Sequence, residues 1–229
     1  GDDENIKSFM NTINREKISY GYDEKNYLKI VDYKAENNAL NFSILNSHRS
    51  YDNVVLNMAG SHNALNSTAC FAVSKVLEIP FDKYRESINS FKTVDRRLQL
   101  KFDANGVKVY DDYSHHPVEV TASLKGLKEM STGRLRTVFQ PHLFTRTRDF
   151  YNEFAQALAI SDEVLLMDIY PAREKPIEGI TSELILNEAL NHNKNMKLVH
   201  ESRDILAWLI NDLKPGDIIV FQGAGDVTN

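Results

Sequence analysis

A single cysteine, Cys70, serves all 229 residues, so no internal disulfide can staple this chain. That scarcity suits a reducing cytoplasm. No window approaches about eighteen consecutive apolar residues, and the opening GDDENIKSF is too acidic and polar for a signal peptide. The chain is therefore expected neither to cross nor to enter a membrane. Positive charge is also in deficit: 27 Lys and Arg against 32 Asp and Glu leave a net charge of −5 at pH 7, which argues against a nucleic-acid or anionic-membrane partner. There is no nucleophile elbow, no Cys/His metal cluster, no internal repeat and no low-complexity segment. What is present, 42% hydrophobic and 26% charged residues, can bury a real core and excludes disordered or fibrous architectures. One or two domains handling small molecules are the expectation. The first residue, Gly1, fits a chain that begins partway through a larger protein.

Residues 18–57 alternate short β-prone runs (KISYGY, YLKIVDYKAE, ALNFSIL, YDNVVLN) with Asn, Asp, Ser and Gly breaks, which predicts a small, mostly antiparallel sheet. From Ser61, read as an N-cap, Leu65, Ala69, Ala72, Val73 and Val76 recur at helical spacing until Pro80, and a second helix is expected over Phe81–Phe91. After KTVDRRLQL, strand and helix patterns alternate through GVKVYDD, PVEVTASLKGLKEM, RLRTVFQ, TRDFYNEFAQALA, EVLLMDI, SELILNEALN, MKLVH, SRDILAWLINDL and DIIVFQG. That repeat predicts an α/β domain with a parallel sheet, and the break near Asp95–Leu98 predicts the domain boundary. Cys70 and Trp208 fall on apolar helix faces and are assigned to packing.

In open α/β sheets ligands bind beyond the carboxyl ends of the strands, where loops and helix N-termini converge. The loops there read DDYSHHP (111–117), QPHLFTRTRD (140–149), DIYPARE (168–174) and QGAGD (222–226). DDYSHHP packs two carboxylates, a phenol and two imidazoles ahead of a helix that Pro117 starts. A carboxylate can accept both hydroxyls of a ribose, and a neutral imidazole can accept a proton from an amine near pH 7. The plainer alternative is that Asp112 or Ser114 caps the helix while His115 and His116 are solvated. In QPHLFTRTRD, His142, Arg146 and Arg148 meet free helix N–H groups, an anion-binding arrangement, unless the arginines pair with Asp149 and Glu153. Asn63 and Asn66 share one face of a helix start beside His62 and match the N6/N7 edge of adenine, although local capping explains them as well. Arg96 and Arg97 either reach a nucleotide phosphate or are solvated linker residues. The glycines of GAGD permit close approach to a ligand or make a plain turn.

Taken together, GSHNALNSTA, VDRRLQ, DDYSHHPVEV, FQPHLFTRTRDFYNEFA, DEVLLMDIYPARE and FQGAGDV resemble, in order and spacing, the Mur ligase family over essentially all 229 residues. The resemblance implies a three-domain enzyme with a UDP-sugar domain, a central ATPase domain and a Rossmann-like C-terminal domain. The chain lacks the first, and with no Gly-Lys pair it lacks the central domain's phosphate-binding loop. Residues 1–95 are then the C-terminal part of the central ATPase domain, and 96–229 the Rossmann-like C-terminal domain with its mostly parallel sheet.

The activity implied is ligation of L-alanine to UDP-N-acetylmuramate through an acyl phosphate in peptidoglycan synthesis, dependent on ATP and Mg2+. The fragment is not expected to be active alone. Neither nucleic acid nor membrane is an expected partner, and a sheet cut partway leaves edges through which two copies could pair as a dimer. The alternatives are a murein-tripeptide recycling ligase, which shares the DD-aromatic-x-HHP segment, and a non-catalytic nucleotide or amino-acid binding module. By resemblance His62, Asn63 and Asn66 lie by the adenine, Arg97 by the phosphates and Asp112 by the ribose. Tyr113, His115, His142 and Arg146 shape the alanine site, with His115 and Arg146 catalytic. Relatives often carry Arg where this chain has Leu143, which leaves Arg146 more of the carboxylate contact. By the same resemblance the magnesium ligands belong mainly to upstream sequence.

Overall fold

The computed structural model describes residues 1–36, 39–58, 60–92, 94–191, 195–210 and 212–227. The chain divides into two compact units, Gly1–Lys92 and Thr93–Asn229.

The first unit opens with a short helix α1 (Glu4–Phe9), capped by the Asp3 carboxylate, which accepts the Ile6 N–H at 2.8 Å. Strands β1 (Tyr20–Gly21), β2 (Leu28–Glu36), β3 (Ala39–Leu45) and β4 (Ser50–Leu56) form a sheet in that order; β1 and β2 run parallel and the remaining pairs antiparallel. Helices α2 (Ser61–Val76) and α3 (Phe81–Ser90) cover it. Alternation along β2 and β3 sends Leu28, Ile30, Leu40, Phe42 and Ile44 inward to meet Phe71 of α2 and Tyr84 of α3.

Helix α2 departs from expectation in three ways. Ser61 does not cap it: the cap is Gly60 at φ +87°, where a Cβ would sit 2.5 Å from the His62 imidazole, so only glycine fits. Its buried face is Asn63, Ala64, Ser67, Thr68, Phe71 and Ala72, whereas Val73 and Val76 are exposed. The hydroxyls tolerate burial because each is paired: Thr68 Oγ1 donates to the Ala64 carbonyl at 2.8 Å, and Ser67 Oγ lies 2.7 Å from the Tyr84 hydroxyl. That rotation of the helix leaves Cys70 exposed rather than packed.

The second unit is α/β. Its elements are β5 (Gln99–Ala104), β6 (Val107–Asp112), α4 (Pro117–Met130), β7 (Leu135–Phe139), α5 (Phe144–Leu158), β8 (Glu163–Met167), α6 (Glu183–Asn191), β9 (Met196–Val199), α7 (Ser202–Ile210) and β10 (Ile218–Gln222). The sheet order is β5-β6-β10-β7-β8-β9, parallel except for β5, which pairs antiparallel with β6 through an Asn105-Gly106 turn. Both turn residues have positive φ, the geometry a two-residue hairpin needs. Strand β10 lies between β6 and β7, so QGAGD emerges between DDYSHHP and QPHLFTRTRD.

Beneath α7 a cluster of Val138, Leu165, Val199, Ile205 and Val227 is buried, with Trp208 half-buried against it as its apolar position implied. Arg136, only 2% exposed, donates to Glu163 at 3.1 Å and to the Trp208 carbonyl at 2.9 Å while lying 3.8 Å over that indole. The guanidinium thereby caps the last turn of α7. Among the described residues no helix is long and apolar enough to cross a membrane.

Candidate functional site at the carboxyl ends of the parallel strands

Strand β6 ends in two buried carboxylates that serve the fold. Asp111 takes the Arg96 Nε–H at 3.4 Å. Asp112, 1% exposed, accepts the Leu98 N–H at 3.3 Å and the Gln222 Nε2–H at 2.9 Å, tying the approach to β5 to the end of β10. Both oxygens are engaged, so this structure does not present Asp112 to a ribose. Arg96 and Leu98 hold positive φ (58° and 46°), a strained path that lets the Arg96 guanidinium donate to the Gly223 carbonyl at 2.7 Å. The Tyr113 ring stands exposed beneath the Arg96 guanidinium at 4.9 Å and that of Arg97 at 5.9 Å. Arg97 also lies 3.6 Å from Glu119.

Helix α4 is capped by neither Asp112 nor Ser114. The cap is His116, whose Nδ1 accepts the Val118 N–H at 3.4 Å, while Glu119 returns a carboxylate to the His115 and His116 N–H groups at 3.2 and 3.3 Å. Burial opposes ionisation of Glu119, but the His115 N–H and the charges of His115 and Arg97 outweigh it and hold the carboxyl below its ordinary range. Pro117 occupies the first turn as expected. Ser114 Oγ pairs with Ser123 Oγ at 3.1 Å.

His115 and His142 are brought together, their rings 5.6 Å apart and steeply inclined, with Tyr113 5.4 Å from His115. Their partners assign the two imidazoles opposite polarity. His115 Nδ1 lies 2.8 Å from the Tyr113 carbonyl, which can only accept, so a proton sits on Nδ1 and Nε2 is the ring position that can serve as a base. His142 Nδ1 lies 3.4 Å from Arg146 Nη1, which can only donate, so this ring carries its proton on Nε2 and is a donor there. Burial and the positive charges of His115 and Arg146 hold His142 below its usual pKa, while Glu174 opposes them, so the ring is neutral at pH 7. Arg146 also donates to the His115 carbonyl at 3.5 Å. Arg148 pairs instead with Asp149 on the helix surface at 2.7 Å, the plainer of its two readings.

The loop 168–174 supplies two residues that sequence reasoning missed. The Tyr170 ring stacks on His142 at 5.8 Å and 15°, and its backbone brackets the turn, donating to the Pro141 carbonyl at 2.8 Å and accepting from Leu143 at 3.0 Å. Glu174 accepts the Thr145 N–H at 3.0 Å and the Thr145 hydroxyl, so the helix donors expected to meet a ligand anion are met by the chain's own carboxylate. The DIYPARE loop lies where the strand order predicts chemistry, but neither side chain carries a spacing that points 28 or more residues upstream. The approach that GAGD allows is likewise internal: a Cβ at Gly225 would lie 2.3 Å from Gln140 Oε1 and 2.6 Å from the Tyr170 ring.

The adenine candidates lie in the first unit. His62, Asn63 and Asn66 sit in the first two turns of α2, with Asn66 Nδ2 3.4 Å from Asn63 Oδ1; Asn63 is 8% exposed and Asn66 is exposed. Among the described residues no group of three or more His, Cys, Asp or Glu could hold a metal ion.

A parallel sheet whose carboxyl-end loops gather a phenol, two oppositely polarised imidazoles and a guanidinium is the small-molecule face of a Rossmann-like α/β domain. Residues 96–225 match the Mur ligase, glutamate ligase domain, and the chain belongs to the Mur ligase family. It is 40% identical over 211 residues to the UDP-N-acetylmuramate--L-alanine ligase of Cytophaga hutchinsonii, covering 92% of this chain and 44% of that protein. With the same-named enzyme of Caldicellulosiruptor bescii it shares 34% over 227 residues, 99% of this chain and 50% of that one. The UDP-N-acetylmuramate-alanine ligase structure from Thermotoga maritima superposes with a TM-score of 0.75 at 23% identity, covering 92% of this chain and 45% of that one. The chain spans about half the length of the curated relatives it matches.

Proposed function

We propose that this chain is part of a cytoplasmic ligase that joins L-alanine to UDP-N-acetylmuramate in peptidoglycan synthesis, using ATP and Mg2+. Residues 1–95 are assigned to the C-terminal part of the central ATPase domain and 96–229 to the C-terminal domain. The observation that carries the reading is the opposed polarity of His115 and His142 around Arg146. An amino acid needs a cation for its carboxylate and a base for its ammonium before the amine can attack.

ATP supplies the phosphoryl group that turns the muramoyl carboxylate into an electrophile. The Arg146 guanidinium, assisted by the His142 Nε2–H, binds the alanine carboxylate, and Tyr113 walls the site. His115 Nε2 takes a proton from the ammonium, the freed amine forms the new C–N bond, the C–O bond to phosphate breaks, and the departing phosphate carries away the nitrogen's second proton. On the adenine side the exposed Asn66 amide, beside Asn63 and one turn from His62 on α2, offers a donor and an acceptor together, which fits a purine edge. Arg97, exposed beside Tyr113, is suited to a phosphate. Asp112 does not fit the ribose role, since it is buried and fully engaged.

The test is phosphate release by a complete ligase carrying this sequence, with UDP-N-acetylmuramate, ATP and magnesium, and with L-alanine, glycine, L-serine or murein tripeptide added in turn. Release dependent on L-alanine is expected. Dependence on tripeptide would assign the recycling reaction, and no amine dependence would reduce the site to a binding module. In the same enzyme Arg146→Ala raises KM for L-alanine about a hundredfold and leaves KM for ATP nearly unchanged. Equal effects on both substrates refute the assignment.

A further inference from the structure

Helix α5 starts without a cap of its own: Leu143 sits at φ +75° and makes no side-chain hydrogen bond to the helix. Its first turn is held from outside. The Glu174 carboxylate takes the Thr145 N–H at 3.0 Å and the Thr145 hydroxyl, and the Phe144 N–H adds to the hold. Glu174 belongs to a loop folded back on itself, its own N–H donating to the Pro171 carbonyl at 2.9 Å, with Ala172 at φ +50°. That loop also carries Tyr170, which stacks on His142. Arg146 and His142 therefore stand on a turn and a helix start clamped by one loop, and their 3.4 Å contact is long enough to be lost if the clamp relaxes.

We propose that Glu174 is a positioning residue for the alanine site, fixing Arg146 against His142 by pinning the first turn of α5 to the loop 168–174. The proposal rests on the functional reading of that pair. Glu174 touches no substrate; it acts through the helix start.

Two substitutions separate reach from charge. Glu174→Asp keeps the charge but is one methylene too short to hold Thr145; Glu174→Gln keeps an oxygen at the same reach and loses the charge. The first measurement is the titration of the His142 ring by NMR in the 229-residue chain, where His115, Arg146, Tyr170 and Glu174 are the groups that face it. Positioning predicts that Glu174→Asp releases the ring from burial and from Arg146, so its pKa rises toward the ordinary histidine value. Glu174→Gln keeps the turn and removes a negative charge, so the pKa falls below wild type. No rise in Glu174→Asp, or a rise in both variants, overturns the proposal. The second measurement is steady-state kinetics of a complete ligase: Glu174→Asp raises KM for L-alanine about tenfold with KM for ATP unchanged, while Glu174→Gln stays within about twofold of wild type. The pattern reversed, with Gln impaired and Asp normal, would assign the effect to charge and refute positioning. If the ligase does not use L-alanine while the His142 shifts follow the stated signs, the functional reading fails and the positioning role stands.

Discussion

Replacing Asp112 by alanine asks whether the end of β6 serves a ligand or the fold. The carboxylate is 1% exposed and satisfies two donors, the Leu98 N–H at 3.3 Å and the Gln222 side-chain amide at 2.9 Å. Its removal strands both in a buried site. A buried donor left without a partner costs about 1–3 kcal/mol; the long Leu98 bond belongs at the low end and the shorter Gln222 bond higher, so the loss is about 3 kcal/mol. At about 2–4 °C per kcal/mol for a chain of this size, the second unit should melt about 10 °C lower. The assay is urea and thermal unfolding of the 229-residue chain, with the denaturant slope unchanged. Asp112→Asn should cost only about 1 kcal/mol, because an oxygen remains for Leu98 and the Gln222 amide can turn its buried, unpartnered Oε1 toward the new NH₂. An alanine variant that melts like wild type but has lost nucleotide affinity would refute the reasoning and return Asp112 to the ribose.

Gly225→Ala places a methyl against Gln140 Oε1 and the Tyr170 ring, so both side chains must shift, and should cost about 1–3 kcal/mol in a thermal melt; an unchanged melting temperature would show that they move aside freely. His200, exposed at the end of β9, has its pKa raised by a 2.8 Å hydrogen bond to Asp168 and then by that residue's charge. Because the folded pKa lies above the unfolded one, the pair's small contribution is complete below the unfolded pKa and fades as pH rises through the folded value. NMR titration should show the His200 pKa falling toward its ordinary value in Asp168→Asn, and an unmoved titration would contradict the pairing.

Periodicity carried much of the fold because it is a property of neighbouring residues. PVEVTASLKGLKEM became α4 over the same residues, and the apolar runs RLRTVFQ, EVLLMDI and DIIVFQG became β7, β8 and β10. Strand β5 escaped because it is an edge strand whose Leu100, Lys101, Phe102 and Asp103 are exposed, so no buried face imposes alternation on QLKFDA. Helix α1 also went unread, since none of its residues is buried. The buried face of α2 was misjudged because Ser67 and Thr68 enter the core with satisfied hydroxyls, which hydropathy alone counts against them. In the site, DDYSHHP and QPHLFTRTRD stood out by the density of their polar chemistry, and the structure brings Tyr113, His115, His142 and Arg146 together. The cap by His116, the burial of Asp112 and the clamp by Tyr170 and Glu174 depend on contacts between separate loops, and one sequence shows no such contacts.

The insertion of β10 between β6 and β7 sets an order on the making of this protein. Synthesis delivers β6 and β7 early, yet each waits for a neighbour that leaves the ribosome after β8, α6, β9 and α7. Through that interval two strands of the future centre present open backbone edges and apolar faces, the features through which nascent chains stick to one another. At an elongation rate of about 5–20 residues per second, the roughly eighty residues between β7 and β10 represent several seconds of exposure. The second unit therefore closes late and all at once, and chains interrupted before Ile218 should be substrates for chaperones and proteases rather than a smaller stable domain.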